Sequence, residues 1–152
     1  PIMITLQNVP EGYAYCFAGL NNCPKADNCL RAIAAKLLTD SKGTQPQTVN
    51  TVNALYIEQL ANRDSCPLYR SSEPIRYAKG MTHLFEDLPL KQAKSVRGRV
   101  TACFSCESYF YRSRNGKRLI TPTEQQRIAH VFRSINPNLV PKYDGYEYAL
   151  VW

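Results

Sequence analysis

With 152 residues, 44% hydrophobic and 20% charged, the chain has the composition of a globular protein with a real core, which excludes disordered and fibrous classes. No apolar run approaches the ~20 residues that span a bilayer. Residues 1–7 show no basic n-region and no long apolar h-region, so no signal peptide is visible there.

In chain order, residues 1–24 read as irregular or short-strand structure. Cys29, Leu30, Ile33, Ala34 and Leu37 recur at helical spacing, which predicts a helix ending by Asp40. The polar, Gly- and Pro-containing stretch 41–47 is a loop, and 49–60 stays ambiguous between helix and coil. A helix is expected over 74–88, with Pro74 in its first turn and Tyr77, Met81, Leu84, Phe85 and Leu88 on one face. Pro89 breaks it. Ala93, Val96, Val100 and Phe104 mark another helix, and Ser105 offers an N-cap for the next. Thr121-Pro122-Thr123-Glu124 is a capping box with proline at its first helical position, opening a helix striped by Ile128, Val131, Phe132 and Ile135. Tyr143, Tyr146, Tyr148 and Trp152 are expected to fold back onto the core. The expected fold is mainly α: a single small domain, 1–152, with a loop-rich four-cysteine subregion (1–70), a helical basic subregion (74–135) and an aromatic tail (136–152).

Cys16, Cys23 and Cys29 fall close together, and Cys66 joins them from a distant loop. Four thiolates from loops and a helix start suit a tetrahedral zinc site or an iron–sulfur cluster. Disulfides and ordinary buried thiols stay open as alternatives, the first requiring an oxidising compartment. Cys103 and Cys106 form a C-x-x-C without a thioredoxin-like context and read as two core thiols at a helix junction.

The charge of +7 lies in one segment. Residues 1–88 hold eight basic and eight acidic side chains, and 119–152 three of each. Residues 89–118 set Lys91, Lys94, Arg97, Arg99, Arg112, Arg114, Lys117 and Arg118 against Glu107 alone. Such a concentrated field draws polyanions, duplex DNA first among them. Arg97, Arg99, Tyr109, Arg112, Arg114, Lys117 and Arg118 are the candidate phosphate contacts, with Ser108 and Tyr111 nearer the bases. An acidic protein partner, met by the same patch in an adaptor, is the alternative.

Two resemblances follow. Residues 105–118, followed by Leu119-Ile-Thr-Pro-Thr-Glu-Gln-Gln-Arg-Ile128, resemble the second helix and succeeding helix of a phage-repressor-type helix-turn-helix. That resemblance implies a recognition helix entering the major groove. The sequence departs from the pattern at Gly98 and Arg99 inside the first helix and lacks the glycine of the turn. A β-hairpin turning at Asn115-Gly116 is the rival for the same residues. The whole chain, through its spaced cysteines ending in Cys29-Leu30-Arg31, Cys66-Pro67-Leu68-Tyr69, Tyr109-Phe-Tyr-Arg and the terminal Trp152, resembles a family of small cysteine-containing Bacteroidota proteins. That likeness implies a bacterial cytoplasmic protein and no particular activity.

Little points to an enzyme. The two histidines, His83 and His130, each fall in an expected helix without a metal-ligand spacing. No phosphate-binding glycine loop, HExxH or G-x-S-x-G occurs.

Overall fold

The computed structural model describes residues 2–152, which fall into two compact units: residues 2–74 with Leu150–Trp152, and Ile75–Ala149. Five α-helices and one two-stranded sheet form the described structure, so helix outweighs strand. No helix is long and apolar enough to cross a membrane.

The first unit is built on α1 (Leu30–Asp40) and the short α2 (Ala54–Glu58), joined by single 3-10 turns at Leu6–Asn8, Phe17–Leu20, Ala26–Asn28 and Arg63–Ser65. The expected helix from Cys29 is present, but its buried face is Leu30, Ala32, Ala34 and Ala35. Ile33 and Leu37, expected in the core, are half-buried. Small side chains are needed on the inner face because Gly19 packs against Ala32: a Cβ at Gly19 would stand 2.6 Å from the Ala32 Cβ. In the ambiguous stretch 49–60, Asn53 caps α2 by accepting from the Leu55 N–H. Trp152 meets Tyr13 edge-to-face at 5.2 Å.

The second unit has a continuous core of Met81, Leu84, Leu88, Val96, Val100, Phe104, Phe110, Ile120, Ile128, Val131 and Phe132. The helix expected over 74–88 is not formed. Residues Ile75–Lys79 are strand β1, paired antiparallel with β2 (Gly145–Ala149) in the register Ile75↔Ala149 to Lys79↔Gly145, and residues 82–87 are turns. Gly80 ends the strand at φ +82°, a left-handed conformation that suits glycine. A Cβ there would also collide with the Asp144 carboxylate, which accepts from the backbone and hydroxyl of Thr82. Met81, Leu84 and Leu88 still reach the core, but from turns.

Helix α3 (Leu90–Thr101) buries Val96 and Val100. Helix α4 (Glu107–Arg114) buries Phe110 and Ser113; its N-cap position is Cys106, one residue beyond the expected Ser105. The hairpin alternative is therefore excluded for these residues. Asn115-Gly116 closes a helix instead: Gly116 has φ +75°, its N–H donates to Ser113 O at 3.2 Å, and the Lys117 N–H donates to Arg112 O at 2.9 Å. This pair of bonds is the Schellman arrangement of a helix C-terminus. Helix α5 (Pro122–Arg133) begins at the expected capping box, with Thr121 and Glu124 bonded reciprocally, and buries Ile128, Val131 and Phe132. In the tail Tyr143 packs on this core, whereas Tyr146 and Tyr148, expected there too, are exposed on β2.

Candidate functional site

The basic surface belongs to the second unit. That unit holds thirteen basic and six acidic side chains, the whole +7, while the first holds six of each. Its acidic groups are largely occupied. Glu147 pairs with Lys79, Asp87 with Lys142, Glu86 with His83 and Glu124 with Arg118. His83 thus lies in a turn with a carboxylate partner, contrary to the expected isolated helical position, and the hydrogen bond to Glu86 raises its pKa.

The cations singled out in the sequence divide into two groups. Arg99, Arg112 and Lys117 are exposed, as are Lys91 and Lys94. None of these five forms an ion pair among the described residues. Arg99 donates to Ser134 Oγ at 2.9 Å, which fixes its position at the C-terminal end of α3. Arg118 instead faces inward: its Nη1 lies 3.0 Å from both carboxylate oxygens of Glu124 and 3.1 Å from Ser113 Oγ. It is a fastening between the start of α5 and the end of α4. Arg114 is half-buried, and its Nε is enclosed without a hydrogen-bond partner. Ser108 is exposed on the first turn of α4.

Tyr109 and Tyr111 are 38% and 43% exposed, which leaves each ring accessible along one side. A guanidinium stands by each: Arg118 at 4.6 Å from the Tyr109 ring centre, and Arg97 at 6.0 Å from that of Tyr111 and 5.7 Å from that of Phe110. Arg97 and Arg118 therefore act first on their neighbouring aromatics. Of the candidate contacts, Arg99, Arg112 and Lys117 carry free charge, and Lys91, Lys94, Arg127 and Arg133 of the same unit are likewise exposed without an ion pair among the described residues.

The cysteines divide as well. Cys103 is buried, with its thiol directed at Arg99 O and its pKa raised by burial. Cys106 is exposed, so the pair is not the two core thiols expected. The other four line a single cavity of about 30 Å³ in the first unit. Backbone bonds assemble it. Cys16 N–H donates to Arg31 O at 3.1 Å, tying the first cysteine to α1. The Leu30 N–H donates to Arg70 O at 2.7 Å and the Ser72 N–H to Asn28 O at 3.0 Å, laying the Cys66 segment beside Cys29. Burial raises the Cys16 pKa, and Cys29, Cys23 and Cys66 raise it further. None of the six cysteines is in a disulfide, and no three His, Cys, Asp or Glu side chains among the described residues gather as a single metal ion requires.

Lys25, Arg31 and Arg63 line the same cavity, and sequence reasoning did not single them out. Arg31 donates to Leu68 O and Ala14 O, Arg63 donates to Asn21 O, and the Lys25 ammonium lies over Tyr69. The signal was present: each cation stands two or three positions from one of the four cysteines.

The elements define two units, one mainly helical with a two-stranded sheet and one with a cysteine-lined cavity. The chain belongs to the family of unknown function DUF6078, whose family model matches residues 2–152. No curated protein and no solved structure matches the chain.

Proposed function

We propose that the protein binds nucleic acid, with duplex DNA as the first target, through the α3–α4 surface, and serves as a DNA-binding regulatory or accessory protein. The observation that carries this reading is the exposed, unpaired set Arg99, Arg112 and Lys117 in a unit that holds the entire +7. Phosphate contacts supply most non-specific affinity, and such uncancelled cations supply phosphate contacts. Tyr109 and Tyr111 add ring faces of the kind on which bases stack. The order α3, connection, α4, with the capped α5 behind, supports a helix-turn-helix in which Ser108 and Tyr111 face base edges and Arg112 and Lys117 the phosphates.

The test is an anisotropy titration of labelled duplex and single-stranded DNA at low salt. Binding at micromolar protein or below, weakened by Arg112→Ala and Lys117→Ala, is expected. No binding to either form leaves an acidic protein as the partner of this surface and contradicts the reading.

A further inference from the structure

We propose that the cavity of the first unit holds a four-iron, four-sulfide cluster ligated by Cys16, Cys23, Cys29 and Cys66. This inference is independent of nucleic-acid binding, because it rests on the other unit.

Four of the six cysteines come from separate local elements and yet border one space, while Cys103 and Cys106 lie elsewhere. The size of that space selects the guest. Four thiolates on one zinc, at about 2.3 Å each, stand about 3.8 Å apart and touch one another. A cavity of about 30 Å³ bordered by all four cysteines leaves open space that four sulfurs in mutual contact would close. One water needs at least ~10–15 Å³ by the same measure, so the space exceeds what a single ion in contact with four sulfurs would leave. The same fact explains why the cysteines share a cavity without converging on a single-ion site. A cubane cluster satisfies both conditions, since its iron atoms, each bound to one cysteine, spread the ligands around a polynuclear core.

The surroundings fit an anionic guest. A cluster core of charge 2+ with four thiolates carries a net 2−. Lys25, Arg31 and Arg63 border the cavity and no carboxylate does; their charged ends are held by Tyr69, by Leu68 O and Ala14 O, and by Asn21 O, so they favour an anion through their field and not by contact. Ile57, Leu60 and Leu68 supply apolar wall, which limits solvent access and so tunes a cluster's potential.

The unit also needs a fastening. Its buried apolar set is Cys29, Leu30, Ala32, Ala34, Ala35 and Ile57, of which only two are large aliphatics. Units of this size with so little core draw on disulfides, metal or assembly for stability. A cluster joining Cys16, Cys23 and Cys29 to Cys66 would cross-link the start of the unit to its end.

The experiment is analysis of the full chain purified without oxygen. About four iron and four acid-labile sulfide per chain are expected, with a visible absorption that bleaches on reduction. The Cys103→Ser chain should keep the full complement. Cys16→Ser, Cys29→Ser and Cys66→Ser should each lose iron several-fold. Should those variants fail to fold, the unaltered chain decides: after chelation it should regain iron and sulfide on anaerobic incubation with sulfide and equal amounts of ferrous and ferric iron, which together give the 2+ core without a further oxidant. One zinc per chain without labile sulfide overturns the proposal, and so does an unaltered chain that takes up no iron and sulfide.

Discussion

Arg112 and Arg118 carry the same charge and have different roles. Arg118 is largely enclosed and fastened to Glu124, which also closes the cap of α5 through Thr121. Removing one partner of a buried pair strands the other charge, at a cost of about 3–5 kcal/mol. Arg118→Ala should therefore lower stability by an amount near the lower end of that range, since its side chain keeps 23% exposure. Arg112→Ala should change stability by less than about 0.5 kcal/mol, as for an ordinary surface position. Urea denaturation of both variants measures this; equal effects would contradict the division of the cations. A second residue-scale test lies at His83. Its pKa is raised by the Glu86 hydrogen bond and charge, so the stability this pair adds is fully present below the unfolded pKa of about 6.5 and is lost as pH rises through the higher folded value. An NMR titration should place the His83 midpoint above that of an unfolded histidine, and Glu86→Gln should return it to the ordinary range. A midpoint unmoved by the substitution would show that the pair does not form in solution.

At the scale of elements, the segments with local punctuation were legible. The capping box of α5 and the 3.6-residue stripes of α1, α3 and α5 each specify a helix from neighbouring residues alone. Three features were not. Tyr77, Met81, Leu84 and Leu88 mimic a helical face, but β1 exists because of Gly145–Ala149, which lies far along the chain and leaves no local trace at Ile75–Lys79. Gly80 was the available signal, as a left-handed residue stops a strand more naturally than it sits inside a helix. Asn115-Gly116 had two readings, since positive φ serves a hairpin turn and a helix end alike. Burial of Phe110 and Ser113, one helical turn apart, favours the helix. The cations around the cysteine cavity were hidden because a charge count along the chain cannot show which charges face one space. Gly98 yields the prediction for this scale. It sits inside α3, where an added Cβ meets nothing within 4 Å. Gly98→Ala should raise stability by about 0.5–1 kcal/mol through helix propensity alone. A thermal melt moved downward would mean that α3 needs the glycine for a contact of its own.

Across the whole molecule, the excess charge and the four-cysteine cavity fall in different units. The first unit is neutral and contains the four-cysteine cavity with the smaller core; the second carries every excess positive charge on a well-packed helical body. Charge and cysteine spacing are countable along the chain, so the excess charge of 89–118 was legible in the sequence. Sequence reading overestimated the free cations, because burial and pairing are not countable. The field of the second unit is expected to act at range, raising the encounter rate with polyanions at low ionic strength. Binding should therefore weaken steeply with salt, at nearly one counterion per phosphate contact.

The most direct measurement compares that salt dependence in the unaltered chain and in the Arg112→Ala, Lys117→Ala double variant, using a labelled DNA duplex. Both side chains are exposed and unpaired, so the substitutions remove the proposed phosphate contacts and leave the fold in place. The account predicts a linear fall of log affinity with log salt whose slope is shallower by about two units in the double variant. An equal slope in the two chains, with both still folded, would contradict it.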